Sequence, residues 1–225
     1  MIIAVGISFL PFLKFTPHPL TEKKEPVTEK SAVPSLYDEM NLAGKVNRDA
    51  FLYAIKGYEK IKDRKREVLT LIDFSKPSNQ ERLYVFDMAS KTMLYSSVVA
   101  HGKNSGGLIA THFSNREGSH QSSLGFYLTE QTYQGKNGYS LVLEGLEKGI
   151  NDHARSRAIV VHGAPYANPS VLKGGGRLGR SFGCPALPEK TSKAIIDAIK
   201  GGSVLYIYAG NQDYLNKSKF IGCPV

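Results

Sequence analysis

The sequence predicts a mainly β fold, in which a curled antiparallel β-sheet or sandwich carries a short α-helix on each flank. Short runs rich in β-branched and aromatic residues alternate with turn residues at close spacing, which is typical of antiparallel sheets. Helical periodicity is confined to two segments, one before the first strand and one before the last. The predicted strands cover residues 68–74, 83–87, 92–99, 123–132, 139–143, 158–162 and 203–208.

The first predicted helix begins at Asn47, whose side chain can accept a hydrogen bond from the free N–H groups of the first turn. Its apolar residues then recur on one face at helical spacing, at Phe51, Ile55, Tyr58 and Ile61. This helix should pack on the domain without carrying chemistry. A second, short amphipathic helix is predicted over residues 190–200.

The chain of 225 residues is long enough for one substantial core, and no Pro/Ser-rich linker interrupts it after Pro34. We therefore predict a single domain over residues 36–225 that starts with the first helix. Residues 16–35 are rich in Pro, Thr, Lys and Glu, so they are expected to form a disordered tether. Residues 1–15 contain an apolar run like that of a secretory signal peptide, with an uncleaved membrane anchor or a core strand as alternatives.

The composition, with 41% hydrophobic and 22% charged residues, is ordinary for a folded globular protein. The formal net charge of +9 at pH 7 favours an acidic polymer, whether nucleic acid, anionic lipid or cell wall. We expect no nucleic-acid partner, because the sequence has neither a basic stripe nor a recognised binding module. The basic cluster at residues 60–66 is interpreted as a solvated helix end, with attraction to an anionic envelope polymer as the alternative.

The segment that carries the chemistry runs from Arg180 to Leu187. It places Cys184 between a glycine and a proline in a stretch without helical or strand periodicity. Upstream, an apolar strand ends at His162. An imidazole can take the proton of a thiol and so activate it as a nucleophile. The alternatives are a buried structural cysteine and a histidine that caps the sheet; glycines 174–176 would let the intervening loop fold back.

The chain has two cysteines, Cys184 and Cys223. A pair of cysteines in an exported protein suggests a disulfide. A nucleophile held in a disulfide would be inert, so Cys223 is predicted to be a free thiol.

These motifs resemble those of a known family. His162-Gly163, a glycine-rich loop and Ser181-x-Gly183-Cys184 resemble the His-Gly…Ser-x-Gly-Cys signature of the L,D-transpeptidase (YkuD-like) catalytic domain, and residues 177–188 resemble its murein L,D-transpeptidase subfamily. The similarity covers about residues 36–208 and includes 72–78, 99–102 and 123–127. It implies the same mainly β fold, with Cys184 as nucleophile, His162 as base and no cofactor.

Further roles are expected in the same loop. The backbone N–H groups of Gly183 and Cys184 are the expected oxyanion donors. Ser181 is expected to hold either the loop or the imidazole by a hydrogen bond, with a turn-stabilising role as the alternative.

The chain departs from the wider family at two positions, with Phe182 in place of a histidine and Ala186 in place of an arginine. The narrower subfamily lacks both residues as well, so we interpret the change as variation among active enzymes. A contact with a substrate carboxylate would then come from Arg180 or Arg177, or from the more distant Arg157. The alternative is that these arginines are surface charges.

A second glycine-rich loop starts at His101-Gly102, at the end of a predicted strand. We predict that these two residues bind substrate on the far wall of the cleft; the alternative is a hairpin turn with an exposed histidine. No histidine or cysteine pair has the spacing that zinc sites use, so no metal is predicted.

The resemblance implies a transpeptidase of peptidoglycan stem peptides. Cys184 would attack the meso-diaminopimelate–D-Ala bond of a tetrapeptide stem, release D-Ala and pass the acyl group to an amine. The product would be an L,D-crosslink or an anchored protein. An L,D-carboxypeptidase and a non-catalytic wall-binding module are the alternatives. The protein is expected to be an exported monomer of the periplasm or cell envelope.

Overall fold

The computed structural model describes Ile2 and residues 35–222. The predicted signal peptide or anchor, the predicted tether and Cys223 therefore lie outside the described residues, apart from Ile2 and Ser35. No helix among the described residues is long and apolar enough to cross a membrane.

The described chain folds into one eight-stranded sheet with a few short helices. In chain order the strands are β1 (Val68–Asp73), β2 (Leu83–Asp87), β3 (Thr92–Ser97), β4 (Gly125–Gly135), β5 (Gly138–Gly145), β6 (Val160–Gly163), β7 (Ala186–Leu187) and β8 (Val204–Tyr208). Their order across the sheet is β3-β2-β1-β8-β4-β5-β6-β7. The mainly β fold class predicted from the sequence is confirmed.

The sheet is mixed, because two of its pairings are parallel. β1 pairs in parallel with β8, and β6 pairs in parallel with β7. The other neighbouring strands are antiparallel. Parallel neighbours need long crossover connections, so turn residues close to a strand do not reveal them. The short strand β7 has no local pattern of its own and was not predicted.

The two edges of the sheet meet and curl it into a near-barrel. The segment that follows the edge strand β3 forms isolated bridges with the segment around the opposite edge strand β7, namely Ala100 with Ala186 and Gly102 with Ser181. These contacts leave a seam where the glycine-rich loop at 101–106 lies beside the cysteine loop at 180–185. The seam is where the chemistry-bearing residues lie.

Five short α-helices accompany the sheet in the described chain: α1 (Leu36–Glu39), α2 (Arg48–Lys60), α3 (Leu172–Gly175), α4 (Glu189–Ile199) and α5 (Gln212–Lys217). Both predicted helices are present, as α2 and α4. Asn47 caps α2 through its Oδ1 atom, which accepts from the backbone N–H groups of Asp49 and Ala50. Gly57 lies inside α2 because the Phe126 ring packs against it, and a Cβ there would lie 2.0 Å from that ring.

Candidate active site

Strand pairing brings the predicted nucleophile and base into one pocket. In the parallel β6–β7 pair, His162 is in register with Ala186, and the His162 N–H donates to the carbonyl of Pro185 at 3.4 Å. Cys184 immediately precedes this proline, so it lies beside Val160, the first residue of β6. The two residues line a pocket of about 220 Å³ together with Asn137, Tyr166, Arg180, Ser181 and Phe182.

Cys184 is 9% exposed and lines this pocket. Its Sγ atom lies 3.5 Å from the backbone nitrogen of Val160 and 3.6 Å from the carbonyl oxygen of Ala158. Burial raises the pKa of the thiol above its ordinary value of 9.0, although the Val160 N–H and the positive charge of Arg157 act in the opposite direction. The resting side chain is therefore a neutral thiol at pH 7.

His162 is held in one tautomer by the main chain. Its Nδ1 atom lies 2.9 Å from the carbonyl oxygen of Gly163. A carbonyl oxygen only accepts hydrogen bonds, so the neutral ring carries its proton on Nδ1 and keeps a lone pair on Nε2. Burial lowers the pKa of His162 below 6.5, and the bond to Gly163 opposes this only in part. Residues 35–222 include no hydrogen bond between His162 and the Cys184 thiol, so the thiol must turn from Ala158 toward the imidazole to transfer its proton.

Ser181 holds the cysteine loop. Its Oγ atom accepts from the Gly183 N–H at 3.0 Å and donates to the Cys184 carbonyl at 2.6 Å. Of the two roles expected for Ser181, the geometry favours the loop over the imidazole. Because the Gly183 N–H already donates to Ser181 Oγ, it is not free to donate a hydrogen bond to an oxyanion. In the described part of the chain the Cys184 N–H has no oxygen acceptor, so it is the remaining candidate donor.

Gly183 is required for the shape of this loop. Its φ is +129°, and an added Cβ would lie 2.8 Å from the carbonyl oxygen of Gln121 and 3.0 Å from Ile159 Cδ1. The first contact is too short for a real Cβ and involves the backbone, which cannot move aside easily; the second is tight, but the end of the Ile159 side chain can shift. The sequence identified Gly183 as a functional residue, and the structure adds this steric reason.

Replacing Gly183 with alanine is expected to lower the free energy of unfolding by about 2–4 kcal/mol, from backbone strain and the clash with Gln121. Gly149→Ala is the matched control, because Gly149 also has a positive φ of +75° but open space at the Cβ position. The control should lose only about 1–2 kcal/mol in urea unfolding. Equal losses in the two variants would contradict the steric argument.

The second glycine-rich loop forms a wall beside the cysteine loop, but its two predicted substrate-binding residues face inward. His101 is completely buried, and both of its ring nitrogens are engaged: Nδ1 lies 2.8 Å from Arg82 Nη2 and Nε2 lies 3.3 Å from the Gly106 carbonyl. Gly102 is buried too, and its N–H donates to Ser122 Oγ. The geometry does not support a direct substrate contact by His101 or Gly102.

These residues brace the cysteine loop instead. The carbonyl of His101 accepts from the Ser181 N–H at 3.0 Å. Ser122 Oγ, which accepts from Gly102, donates to the carbonyl of Gly183 at 3.0 Å. Sequence patterns do not single out Ser122, because a serine in a polar loop has no distinguishing surroundings. Its position between the two loops is visible only in the fold.

Arg82 is the buried cation behind this wall, and it too was missed. The side chain is fully buried and donates to the carbonyls of Val99 and Lys76, and to His101 Nδ1. Burial lowers the pKa of Arg82 to about 9. Burial, and then the charge of Arg82, lower the pKa of His101 to about 4. Since Arg82 donates to Nδ1, the buried imidazole is neutral with its proton on Nε2.

The protein is expected to lose stability between pH 6.5 and about 4 because of His101. In this pH range His101 is protonated in the unfolded chain but stays neutral in the folded chain. The free energy of unfolding therefore falls as the pH is lowered. The shift of the pKa from 6.5 to about 4 corresponds to about 3 kcal/mol, fully present above pH 6.5. Urea unfolding across this range measures it. In His101→Gln, whose amide can make both hydrogen bonds without titrating, this part of the pH dependence should disappear; an unchanged profile would assign it to other groups.

The three candidate arginines lie in different places. Arg180 is exposed and lines the pocket, with Nη1 donating to the carbonyls of Lys103 and Gly106. Arg177 is half-buried, donates to its neighbour Leu178 and is not part of the pocket lining. Arg157 is held by Ser114, Ser119, Gln121 and Ser123, and acts on Cys184 through its charge. Of the three candidates, Arg180 is the one that lines the pocket.

One family model and several solved structures match this chain. A family model described as the L,D-transpeptidase catalytic domain matches residues 42–208. Among solved structures, the chain is similar to an L,D-transpeptidase from Mycobacterium smegmatis (13% identity, TM-score 0.40, covering 64% of this chain and 59% of that one). It is also similar to the helical cell shape determining protein Pgp2 from Campylobacter jejuni (14% identity, TM-score 0.40, covering 69% and 55%).

A third similar structure is L,D-transpeptidase 3 from Mycobacterium tuberculosis (13% identity, TM-score 0.36, covering 63% of this chain and 60% of that one). The chain thus spans less than two thirds of the length of these solved relatives. No curated protein sequence matches it.

Proposed function

The chain belongs to the L,D-transpeptidase catalytic-domain family, and from this premise we propose that it is a cysteine-dependent acyltransferase of peptidoglycan stem peptides. Cys184 is the nucleophile and His162 the general base and acid. The bond attacked is the amide between meso-diaminopimelate and D-Ala in a tetrapeptide stem. The acyl group then passes to an amine of a second stem or of an attached protein.

The observation that carries this proposal is the meeting of Cys184 and His162 in one pocket through the β6–β7 pairing. The bond from Nδ1 to the Gly163 carbonyl leaves Nε2 with the lone pair that a general base needs. The main-chain carbonyl of Gly163 orients the His162 ring, as a carboxylate does in Ser-His-Asp sites. The thiol lies on the pocket wall, where an amide carbonyl can approach it.

In the first half-reaction, Sγ of Cys184 bonds to the amide carbonyl carbon as its proton moves to His162 Nε2. Both groups are neutral at rest, because burial raises the pKa of the thiol and lowers that of the imidazole. Proton transfer therefore accompanies the attack. The oxyanion accepts a hydrogen bond from the Cys184 N–H. The C–N bond then breaks, the imidazolium protonates the departing amine, and D-Ala leaves a thioester behind.

In the second half-reaction, an acceptor amine attacks the thioester, gives a proton to His162 and expels the thiol. Transfer to a second stem makes an L,D-crosslink, and transfer to a protein anchors it. Water in place of the amine would make the enzyme an L,D-carboxypeptidase. We propose that the reaction takes place in the periplasm or cell envelope, with the protein exported as a monomer and an N-terminal membrane tether as the alternative to a cleaved signal.

The acidic limb of the pH profile of kcat/KM for D-Ala release is expected to lie below pH 6.5. His162 must be neutral to accept the proton, and burial lowers its pKa below that value. Above this limb the rate should stay level to about pH 8, because the thiol need not ionise beforehand. A rate that rises about tenfold per pH unit over the neutral range would mean that preformed thiolate reacts, and would contradict general-base activation.

Incubation of the purified protein with tetrapeptide muropeptides tests the reaction. Crosslinked dimers together with free D-Ala indicate transfer, whereas tripeptides alone indicate hydrolysis. Failure to release D-Ala, with no acyl adduct on Cys184 in intact-mass spectra, would overturn the proposed enzyme. Retained binding to sacculi in that case would favour a non-catalytic wall-binding module.

A further inference from the structure

Phe182 lies at the mouth of the pocket, two residues before Cys184, and 67% of its surface is exposed. Within residues 35–222 it is the most exposed large hydrophobic side chain. Full burial of a phenylalanine side chain stabilises a fold by about 1.5–3 kcal/mol, and Phe182 contributes only a small part of that free energy. One exposed apolar side chain needs no explanation by itself, so the argument depends on what surrounds the ring.

The ring is fixed from two sides. The His120 imidazole lies against it, with 4.6 Å between ring centroids and 35° between planes. The Lys103 ammonium lies 4.5 Å from the ring centroid. Lys103 is itself joined to the cysteine loop, because its N–H donates to the Ser181 carbonyl at 2.8 Å. The aromatic ring and the cation are therefore held at a set position relative to Cys184.

Arg180 is a second cation in this region, and it lines the same pocket as Phe182. Its Nη1 atom donates to the carbonyl of Lys103 at 3.2 Å and to that of Gly106 at 3.0 Å. We call Lys103, His120, Arg180 and Phe182 the rim cluster. Neither Lys103 nor Arg180 takes part in the ion pairs found within residues 35–222. An exposed cation–π contact is worth only about 0.5–1 kcal/mol, so the contact of Lys103 with Phe182 does little for the stability of the fold.

We infer that the rim cluster is the subsite for the residue that leaves during acylation, binding its carboxylate through Lys103 and Arg180 and its methyl group against Phe182. This inference rests on the proposed function. With the scissile carbonyl at Cys184 Sγ, the leaving D-Ala extends toward the pocket mouth. Its carboxylate and methyl group are both attached to the carbon next to the amide nitrogen. The rim cluster offers cations and an apolar ring side by side, which matches that pair of groups.

The binding test uses the Cys184→Ala protein, which cannot turn over its ligand. Calorimetry would compare a tetrapeptide stem ending in D-Ala with the same stem amidated at its C-terminus. Amidation should weaken binding by about tenfold, the loss of one charge-assisted contact. With Lys103→Met and Arg180→Met added, the free acid and the amide should bind equally. Lys190→Met, an exposed lysine on α4, is the matched control and should preserve the difference.

The apolar half of the subsite has its own comparison. A stem ending in glycine should bind about threefold more weakly than one ending in D-Ala, because it lacks one buried methyl group. In Phe182→Ala the two stems should bind equally, while the effect of amidation remains. These variants change only exposed side chains, so thermal unfolding should leave their midpoints close to that of the parent.

The inference would be overturned if amidation still weakened binding in the protein with Lys103→Met and Arg180→Met. It would also be overturned if amidation had no effect on the Cys184→Ala protein, or if that protein did not bind the stem. D-Ala release by the unmodified protein separates this result from the proposed function. Release with no amidation effect would remove the subsite and leave the enzyme. The expected binding pattern without release would remove the enzyme and leave the subsite.

Discussion

Replacement of Cys184 with serine is expected to lower kcat/KM for D-Ala release by at least about 10⁴-fold. A serine hydroxyl is a far weaker acid than a thiol. Within residues 35–222 the His162 ring is oriented by the Gly163 carbonyl and has no carboxylate partner, so the proposed base gains no support from a negative charge. The Sγ atom contacts the Val160 nitrogen at 3.5 Å and the Ala158 carbonyl oxygen at 3.6 Å. The C–O bond of serine is shorter than the C–S bond of cysteine, so the serine oxygen would lie farther from a carbonyl carbon in the pocket.

The measurement is the rate of D-Ala release from tetrapeptide stems, together with intact-mass spectra of the acyl-enzyme. Cys184→Ser should show neither fast release nor a thioester mass. Cys184→Ala should behave in the same way, since it lacks any nucleophile at this position. Both variants should unfold within a few degrees of the parent, because each changes one small side chain. An alanine variant that keeps a substantial fraction of the parent rate would exclude Cys184 as the nucleophile.

Replacement of Arg82 with methionine is expected to lower the free energy of unfolding by about 3–5 kcal/mol. The side chain is fully buried and donates hydrogen bonds to two carbonyls and to His101. Removal of the guanidinium leaves the carbonyl of Val99 and Nδ1 of His101 without donors in the interior. Each unsatisfied buried acceptor costs about 1–3 kcal/mol.

Urea unfolding measures this loss, with Arg66→Met as the matched control. Arg66 is half-buried and donates one hydrogen bond to a backbone carbonyl, that of Lys200, so its loss should cost about 1 kcal/mol. Arg82→Met should also slow D-Ala release at temperatures where the protein is fully folded, because His101 holds Ser181 in the cysteine loop. A loss of stability no larger than that of the control would show that the buried network around Arg82 contributes little.

Replacement of Arg82 should also change how the free energy of unfolding depends on pH. Without the donor at Nδ1, the His101 imidazole can accept a proton more easily, so its pKa should rise toward its ordinary value. The stability difference between Arg82→Met and the parent should therefore narrow below pH 6.5. The same urea experiments, repeated at lower pH, provide the measurement.

The sequence predicted the parts of this protein that depend on local patterns. Asn47 marks the start of α2 because a capping side chain acts on the N–H groups two and three residues further on. Most strands are visible because their residues lie between turn residues. Cys184 and His162 could be found because glycine, proline and a strand end are unusual surroundings for a structural cysteine or histidine.

The tertiary structure alone decided how the two loops meet. The parallel β6–β7 pair and the bridge from Gly102 to Ser181 join segments that are far apart in the chain, and no local pattern records such a pairing. The same closure buries His101 against Arg82, where the sequence predicted a residue facing the substrate. Hydrogen-bond partners and burial depend on which segments the fold brings together, so the sequence alone could name a candidate nucleophile and a candidate base but not the side chains that hold them.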